Sequence, residues 1–408
     1  MLSHRAMQWL TTPLLRSRLR APFWLLVAVT ASGTLAMHIL VPVLPLAAEN
    51  LAVSSGTIQL TITLYLFGVA GGQLLYGPVS DQFGRRPALL VALVLYVGAS
   101  IVAGLAPNIT VLLIARVVQA LGGCGGLVLG RAVVRDGAAE GQAASQMAML
   151  TMVQSLAPGI GPAVGGYLGA WFGWRSIFAA LFVFGMVTLI GTLFSLPETA
   201  RSRGSGSGRM LGSYMRLLRT PAFRGYMIGG ALTTTSFYAY LSASPFIFTD
   251  MLHRPAEEVG LYYLVVMIGV PIGSFAASRL VRRVRLGLLL QVTSGIAVLG
   301  ATLFFAVAIT GHLSVATILG AMIIYSVGVG AASPMALASA LSTQPTMIGA
   351  ASGLYGFVQM GFGALCTVAV SIWPEHPALT ASTVLIAATV LGQFAFMAAL
   401  KSRPATAG

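Results

Sequence analysis

Residues 286–310 read LGLLLQVTSGIAVLGATLFFAVAIT, with no Asp, Glu, Lys or Arg, and that absence continues as far as Pro374. A helix that crosses a bilayer needs about 20 predominantly apolar residues, so the run holds several such helices. Inside lipid a lone segment must satisfy its own backbone, and only a helix does so. The rest of the 408-residue chain reads the same way, with no formal charge from Ala21 to Ala48, from Asn50 to Ser80 or from Gly141 to Trp174. Charged residues make up 8% of the chain and hydrophobic ones 57%, against roughly 25% charged in a soluble domain. An all-α, multi-pass membrane protein is expected.

The net charge of +14 would suit nucleic acid, because clustered cations bind phosphate. Its distribution argues for topology instead. Of the 23 Lys and Arg, 20 fall in the N-terminal arm, in alternate loops or in the C-terminal tail. Arg116 lies within a span, and only Arg175 and Arg254 lie in the other set of loops. This is the positive-inside pattern, which puts both termini in the cytoplasm. The expected surroundings are the bilayer of a bacterial inner membrane, with no nucleic-acid partner. Cys124 and Cys366 lie in apolar spans without a CxxC pair or neighbouring histidines, so no metal site, disulfide or cofactor is expected. Arg5, Arg16, Arg18 and Arg20 precede an apolar run too long for a signal-peptide core, and the first span is expected to be retained.

Apolar runs between polar breaks predict twelve helices near 23–47, 57–80, 87–106, 110–134, 141–169, 174–196, 222–249, 257–279, 286–308, 313–340, 346–372 and 378–400. The basic Gly/Ser stretch RSRGSGSGR (201–209) divides them six and six and reads as a flexible linker. The domains are then an arm over 1–22, a six-helix half over 23–196, a linker over 197–221, a second half over 222–400 and a tail over 401–408. Two such halves are the form taken by internal repeats in transporters, with the substrate site expected at their interface near the midplane. Small residues such as GGCGG (122–126) let membrane helices approach closely.

In GPVSDQFGRRP (77–87), Asp81 and Arg85 stand four residues apart, so Asp81 can pair with Arg85 and sit against a neighbouring helix N-terminus. The stretch resembles the signature loop of the major facilitator superfamily in Gly77, Asp81, Gly84, Arg85 and Arg86. The resemblance implies two pseudo-symmetric six-helix halves around a central cavity, and a conformational latch that helps hold the outward-facing state. The corresponding loop of the second half, GSFAASRLVRR (273–283), has Ala277 where the acid would stand. In RVVQALGGCGG (116–126), Arg116 lies about 10 Å from the outer end of its span at 1.5 Å per residue. An arginine at that depth needs a wet cavity or a partner. It either serves transport or braces helices through backbone carbonyls. Arg116 and Gln119 match the family's fourth-helix pattern, although Ala120 replaces a Gly. APGIGPAVGG (157–166) resembles the family's antiporter motif in Gly161, Pro162, Gly165 and Gly166, which implies export in exchange for another species. Read by itself it is a bend and a packing groove.

The stretch TLAMHILVPVLP (34–45) puts His38 on a polar stripe with Thr30 and Thr34, about 14 Å from the outer end of the span. It resembles the first helix of the bicyclomycin and chloramphenicol-resistance (Bcr/CflA) drug exporters, and aligning on Pro42 and Pro45 places His38 where their acid stands. GAASGLYGFVQMGFGAL (349–365) resembles their eleventh helix. Glu49, Asp250, Glu257, Glu258 and Glu375 flank the outer span ends, and Asp81, Asp136, Glu140 and Glu198 the inner ones. No span centre carries an acid. Histidine, whose ordinary pKa is about 6.5, titrates near physiological pH, so His38 with Arg116 is the candidate proton-coupling pair. The alternative is a neutral His38 that hydrogen-bonds substrate or a neighbouring helix.

Candidate substrate contacts are Thr34, His38, Gln119, Gln154, Tyr238, Ser242, Tyr325, Tyr355 and Gln359. Aromatic and Met side chains around few polar groups suit bulky amphipathic drugs better than sugars. No HExxH, nucleophile motif or phosphate loop is present, so an enzyme is not expected. The expected function is secondary active export of small organic compounds, drugs above all, in exchange for protons by alternating access. Export of a sugar or other metabolite, or export without proton coupling, is the rival. The superfamily's usual state is a monomer, and that is expected here.

Overall fold

A computed structural model describes residues 21–137, 142–199, 208–281 and 283–402. Almost all of the arm expected over 1–22, residues 200–207 of the linker and 403–408 of the tail lie outside the described residues. In chain order the long elements are α1 (Phe23–Asn50), α2 (Ser55–Phe83), α3 (Arg85–Gly104), α4 (Ile109–Gly137), α5 (Gln142–Phe172) and α6 (Arg175–Ser195). After a short helix at Gly208–Arg219 comes α7, in pieces Pro221–Thr235 and Phe237–Phe246 with a π-helical turn at Ile247–Met251. Then follow α8 (Ala256–Leu280), α9 (Leu286–Thr310), α10 (Val315–Ser342), α11 (Ile348–Ser371) and α12 (Pro377–Lys401). Among the described residues every regular element is helical. Eleven helices are long and apolar enough to cross a membrane; the expected seventh span, 222–249, consists of pieces each too short to qualify alone.

Proline accounts for the breaks. It has no N–H to give the carbonyl four residues back and its ring clashes with that turn. Pro42 and Pro45 end the first piece of α1 at His38 and introduce a 3₁₀ turn at Val41–Val43. Pro245 frees the carbonyl of Leu241, which accepts instead from the Tyr263 hydroxyl of α8 at 3.1 Å. Pro334 frees that of Gly330, which accepts from Ser274 of α8 at 2.7 Å. In an apolar interior an unbonded carbonyl is costly, so a neighbour's hydroxyl takes over.

The internal repeat is visible in the packing. In the first half α4 packs on α1, α2 and α3, α1 on α5, and α3 on α6. Adding six to each label gives the second half, where α10 packs on α7, α8 and α9, α7 on α11, and α9 on α12. Close crossings are made at glycine. A Cβ on Gly122 would lie 2.6 Å from the Ala92 carbonyl oxygen, and one on Gly126 would overlap that of Val29. Between the halves, α2 packs on α11 and α5 on the outer part of α8 (Ala256–Met267).

The expected linker is part helix. Gly208–Arg219 packs on α7 and α11, buries Leu217 and leaves Arg216 and Arg219 exposed. It stops at Thr220, extended at φ −84° and ψ 108°, as a residue before proline prefers.

Candidate functional site

Three contacts seal the halves together at the end where Glu49, Asp250 and Glu257 lie. Gln59 of α2 donates to the Ser242 carbonyl of α7 at 3.3 Å. The Thr63 and Thr367 hydroxyls bond at 2.7 Å between α2 and α11. On α5 and α8, Gly166 and Gly260 are tight, a Cβ on the latter lying 2.5 Å from the Pro162 oxygen. One apolar cluster accordingly runs from the first half into the outer part of the second, whereas a separate cluster around Phe223, Leu290 and Phe396 holds the basic end of the second half. The packing of α5 on α8 is concentrated on the outer part, Ala256–Met267, and is not matched on the inner part, Gly269–Leu280.

Between the halves lies a cavity of about 150 Å³. His38 and Pro158 border it from the first half, and Thr234, Thr235, Phe237, Tyr238, Met267, Tyr325, Ser326, Gln359 and Met360 from the second. His38 ends the straight part of α1; its Nδ1 lies 2.8 Å from the Thr34 carbonyl oxygen one turn earlier. Its ring stacks on Tyr238 with centroids 6.1 Å apart and planes 28° from parallel. Gly161 of α5 admits the histidine, since a Cβ there would come within 3.2 Å of the His38 Cβ, and one on Gly165 would overlap the Ile39 oxygen. The antiporter-like stretch is therefore the surface on which the bend of α1 rests.

Arg116 is fully buried and does not hydrogen-bond to His38. It donates to the carbonyls of Ala36 at 3.0 Å and Thr61 at 3.4 Å and to Gln119 Oε1 at 2.6 Å, with the Tyr65 ring 4.2 Å from its guanidinium carbon. One terminal nitrogen, Nη2, has no partner. Gln119 passes the network on to Ser100 at 2.8 Å. Among the described residues no carboxylate is within ion-pair distance of Arg116. This is the geometry of a brace joining α4 to α1 and α2, reaching the chain two residues before His38.

Of the other sequence candidates, Tyr238, Tyr325 and Gln359 border the cavity. Tyr325 donates to the Thr233 carbonyl at 3.0 Å and lies 2.9 Å from the Ser236 hydroxyl. Gln359 donates to Thr234 at 2.8 Å. The remaining candidates lie elsewhere. Thr34 holds the His38 ring through its carbonyl, and Gln119 belongs to the arginine network. Gln154 is bonded to Arg131, Ser242 meets Gln59 through its backbone, and the Tyr355 hydroxyl lies against Gly230. The polar stripe on α1 also divides, for Thr30 turns to its own helix at Leu26 and packs on Gly130. Sequence reasoning missed Thr234, Thr235 and Gln59. The signal for Gln59 was available, being a lone amide in an apolar run, as with Gln154.

The loop after α2 is tied together as an ion-pair cluster. Arg85 meets Asp81 at 2.6 Å and Asp136 of α4 at 3.1 Å, and also bonds Ser80. The carboxylate at the α3 N-terminus belongs to Glu198, not to Asp81. It accepts from the backbone N–H of Arg85 at 2.9 Å and of Arg86 at 3.1 Å, a seat that the helix dipole favours. Gly84 turns the chain with φ +98°, and a Cβ there would come within 2.6 Å of Glu198. Gly77 has open space around it.

An all-helical bundle of two repeated halves with a cavity bordered by both is the build of a membrane transporter, not of an enzyme. The profile of the Major Facilitator Superfamily matches residues 25–367, and the chain belongs to that family. It is 29% identical over 379 residues to an uncharacterized MFS-type transporter of Bacillus subtilis, covering 91% of this chain and 93% of that one. Similarity extends to a bicyclomycin resistance protein homolog of Haemophilus influenzae, 27% identical over 78% of this chain and 80% of that one. It extends also to multidrug resistance protein D of Escherichia coli, 28% identical over 84% and 87%. Among solved structures, that of a D-xylose-proton symporter superposes with a TM-score of 0.72 at 14% identity, covering 91% of this chain and 96% of that one. At that identity the likeness is one of fold.

Proposed function

We propose that this transporter exports small organic compounds, drugs among them, across a bacterial inner membrane in exchange for protons, working as a monomer by alternating access. The observation that carries the reading is a cavity walled by both halves, in which His38 faces Tyr238, Tyr325 and Gln359. The resistance named for two of its relatives supports drugs as cargo. The seal at the acidic end and the concentration of α5–α8 packing on outer α8 support a state that takes up cargo from the basic, cytoplasmic side. Rocking the halves about α2–α11 and α5–α8 would exchange the seal from one end to the other. His38 is the proton carrier; Arg116 holds the helix that bears it. The ion-pair cluster at Asp81 and Arg85 locks the first half's basic end as the halves move.

A panel of minimum inhibitory concentrations in an efflux-deficient bacterium tests this. Wild type should raise resistance to several amphipathic drugs and His38→Ala should not. Resistance retained in full by His38→Ala would remove the histidine from coupling. No rise for any compound would turn the reading to a metabolite exporter.

A further inference from the structure

We propose that the cargo bound at His38 is a neutral molecule offering an O–H or N–H donor, not an organic cation, and that this donor competes with the transported proton for one lone pair, on His38 Nε2. The inference rests on the export reading and specifies its cargo.

Hydrogen-bond directions in the cavity wall lead to it. The carbonyl of Thr34 can only accept, so the contact at 2.8 Å puts a proton on His38 Nδ1. A neutral imidazole with Nδ1 protonated presents Nε2 as an acceptor. Among the described residues no donor reaches Nε2, while the ring borders the cavity. Gln359 is fixed by the same logic. The single hydroxyl proton of Thr234 goes to the Gly230 carbonyl at 2.6 Å, so Thr234 must accept from Gln359 Nε2 at 2.8 Å, which leaves Gln359 Oε1 as an acceptor too. Two acceptors, one from each half, call for donors on the cargo.

Charge excludes the cation. All nine acids of the chain lie at span ends. Around His38, α7 and α10 bring the Tyr238 and Tyr325 phenols to the cavity wall, α4 brings the Arg116 guanidinium to Ala36 with the Tyr65 ring of α2 beneath it, α11 brings Gln359, and α5 presents Gly161 and Pro158. None is negative. A fixed cation would lose its water in this cavity and meet no counter-charge, whereas Phe237, Tyr238, Met267 and Met360 accept an apolar body.

Protonation turns Nε2 from acceptor into donor, so proton and cargo cannot occupy it together. Below the pH at which His38 titrates, apparent affinity should fall tenfold per pH unit, as the competent fraction does. The test is binding and proteoliposome uptake of chloramphenicol, which is neutral with two hydroxyls and an amide N–H, against tetraphenylphosphonium. Wild type should take chloramphenicol with the acid-side fall and ignore the cation. His38→Gln offers an acceptor that cannot titrate, so whatever affinity it retains should lack the fall. His38→Asp should gain the cation. Wild type that carries tetraphenylphosphonium but not chloramphenicol, or a fall that survives in His38→Gln, overturns the proposal while drug export stands. Transport of neither compound, together with no resistance in cells, overturns the export reading and this inference with it.

Discussion

The two halves repeat one packing plan but are held by different chemistry. From α4 the first half sends Arg116 to carbonyls of α1 and α2; from α10, the matching helix, the second half sends Tyr325 to the Thr233 carbonyl of α7. Among the described residues every ion pair, too, lies in the first half, at Asp81, Arg85, Arg135 and Asp136. The matching loop of the second half has a buried Ala277 in place of the acid. Shared backbone geometry therefore does not require shared polar chemistry. The plan itself is carried by small residues that allow close crossings, such as Gly122 in the first half and Gly300 in the second, each against another helix's backbone.

Five substitutions would break or sharpen this contrast. The largest effect is expected where the shared plan is struck. Gly165→Val would drive a side chain into the Ile39 carbonyl and should prevent accumulation of folded protein, while Gly295→Ala, which meets nothing within 4 Å, should leave yield unchanged by fluorescence-detected gel filtration. Arg116→Ala comes next. It leaves the Ala36 and Thr61 carbonyls without this donor, at about 1–3 kcal/mol per buried group, and transport should be lost with a clear drop in melting temperature. An unchanged melting temperature would contradict the brace. Asp81→Asn should leave substrate binding intact and slow turnover about fivefold, the equivalent of ~1 kcal/mol in a barrier; altered selectivity at full turnover would count against a latch. Tyr325→Phe removes one hydroxyl at a cost of about 1 kcal/mol and should lower stability least. If it costs as much as Arg116→Ala, the halves are braced alike and the contrast fails.

Most of the span boundaries could be read from charge-free runs, because lipid admits few alternatives. The loop at Asp81 was legible as well, through its spacing. The faces of the helices were not. A helix apolar all round has no stripe to say which side meets lipid, a neighbour or a cavity, so Tyr355 and Gln154 looked as good as Tyr238 and Gln359. Depth alone put His38 beside Arg116, and depth omits azimuth: the guanidinium turns to Ala36 and Thr61 instead. The place of Glu198 at the α3 N-terminus was hidden for another reason, since it arrives from 113 residues away. The helix at Gly208–Arg219 was obscured by the Gly/Ser stretch before it.

The bends at Pro245 and Pro334 have a mechanical consequence. Each freed carbonyl is held by a hydroxyl of α8, so neither bend can flex unless α8 goes with it. A proline so pinned is a strut rather than a joint. Spin labels placed on α7, α8 and α10 should keep their mutual distances through the cycle, while distances from α8 to α5 change, so that the second half turns as one stiff lever about its seams with the first.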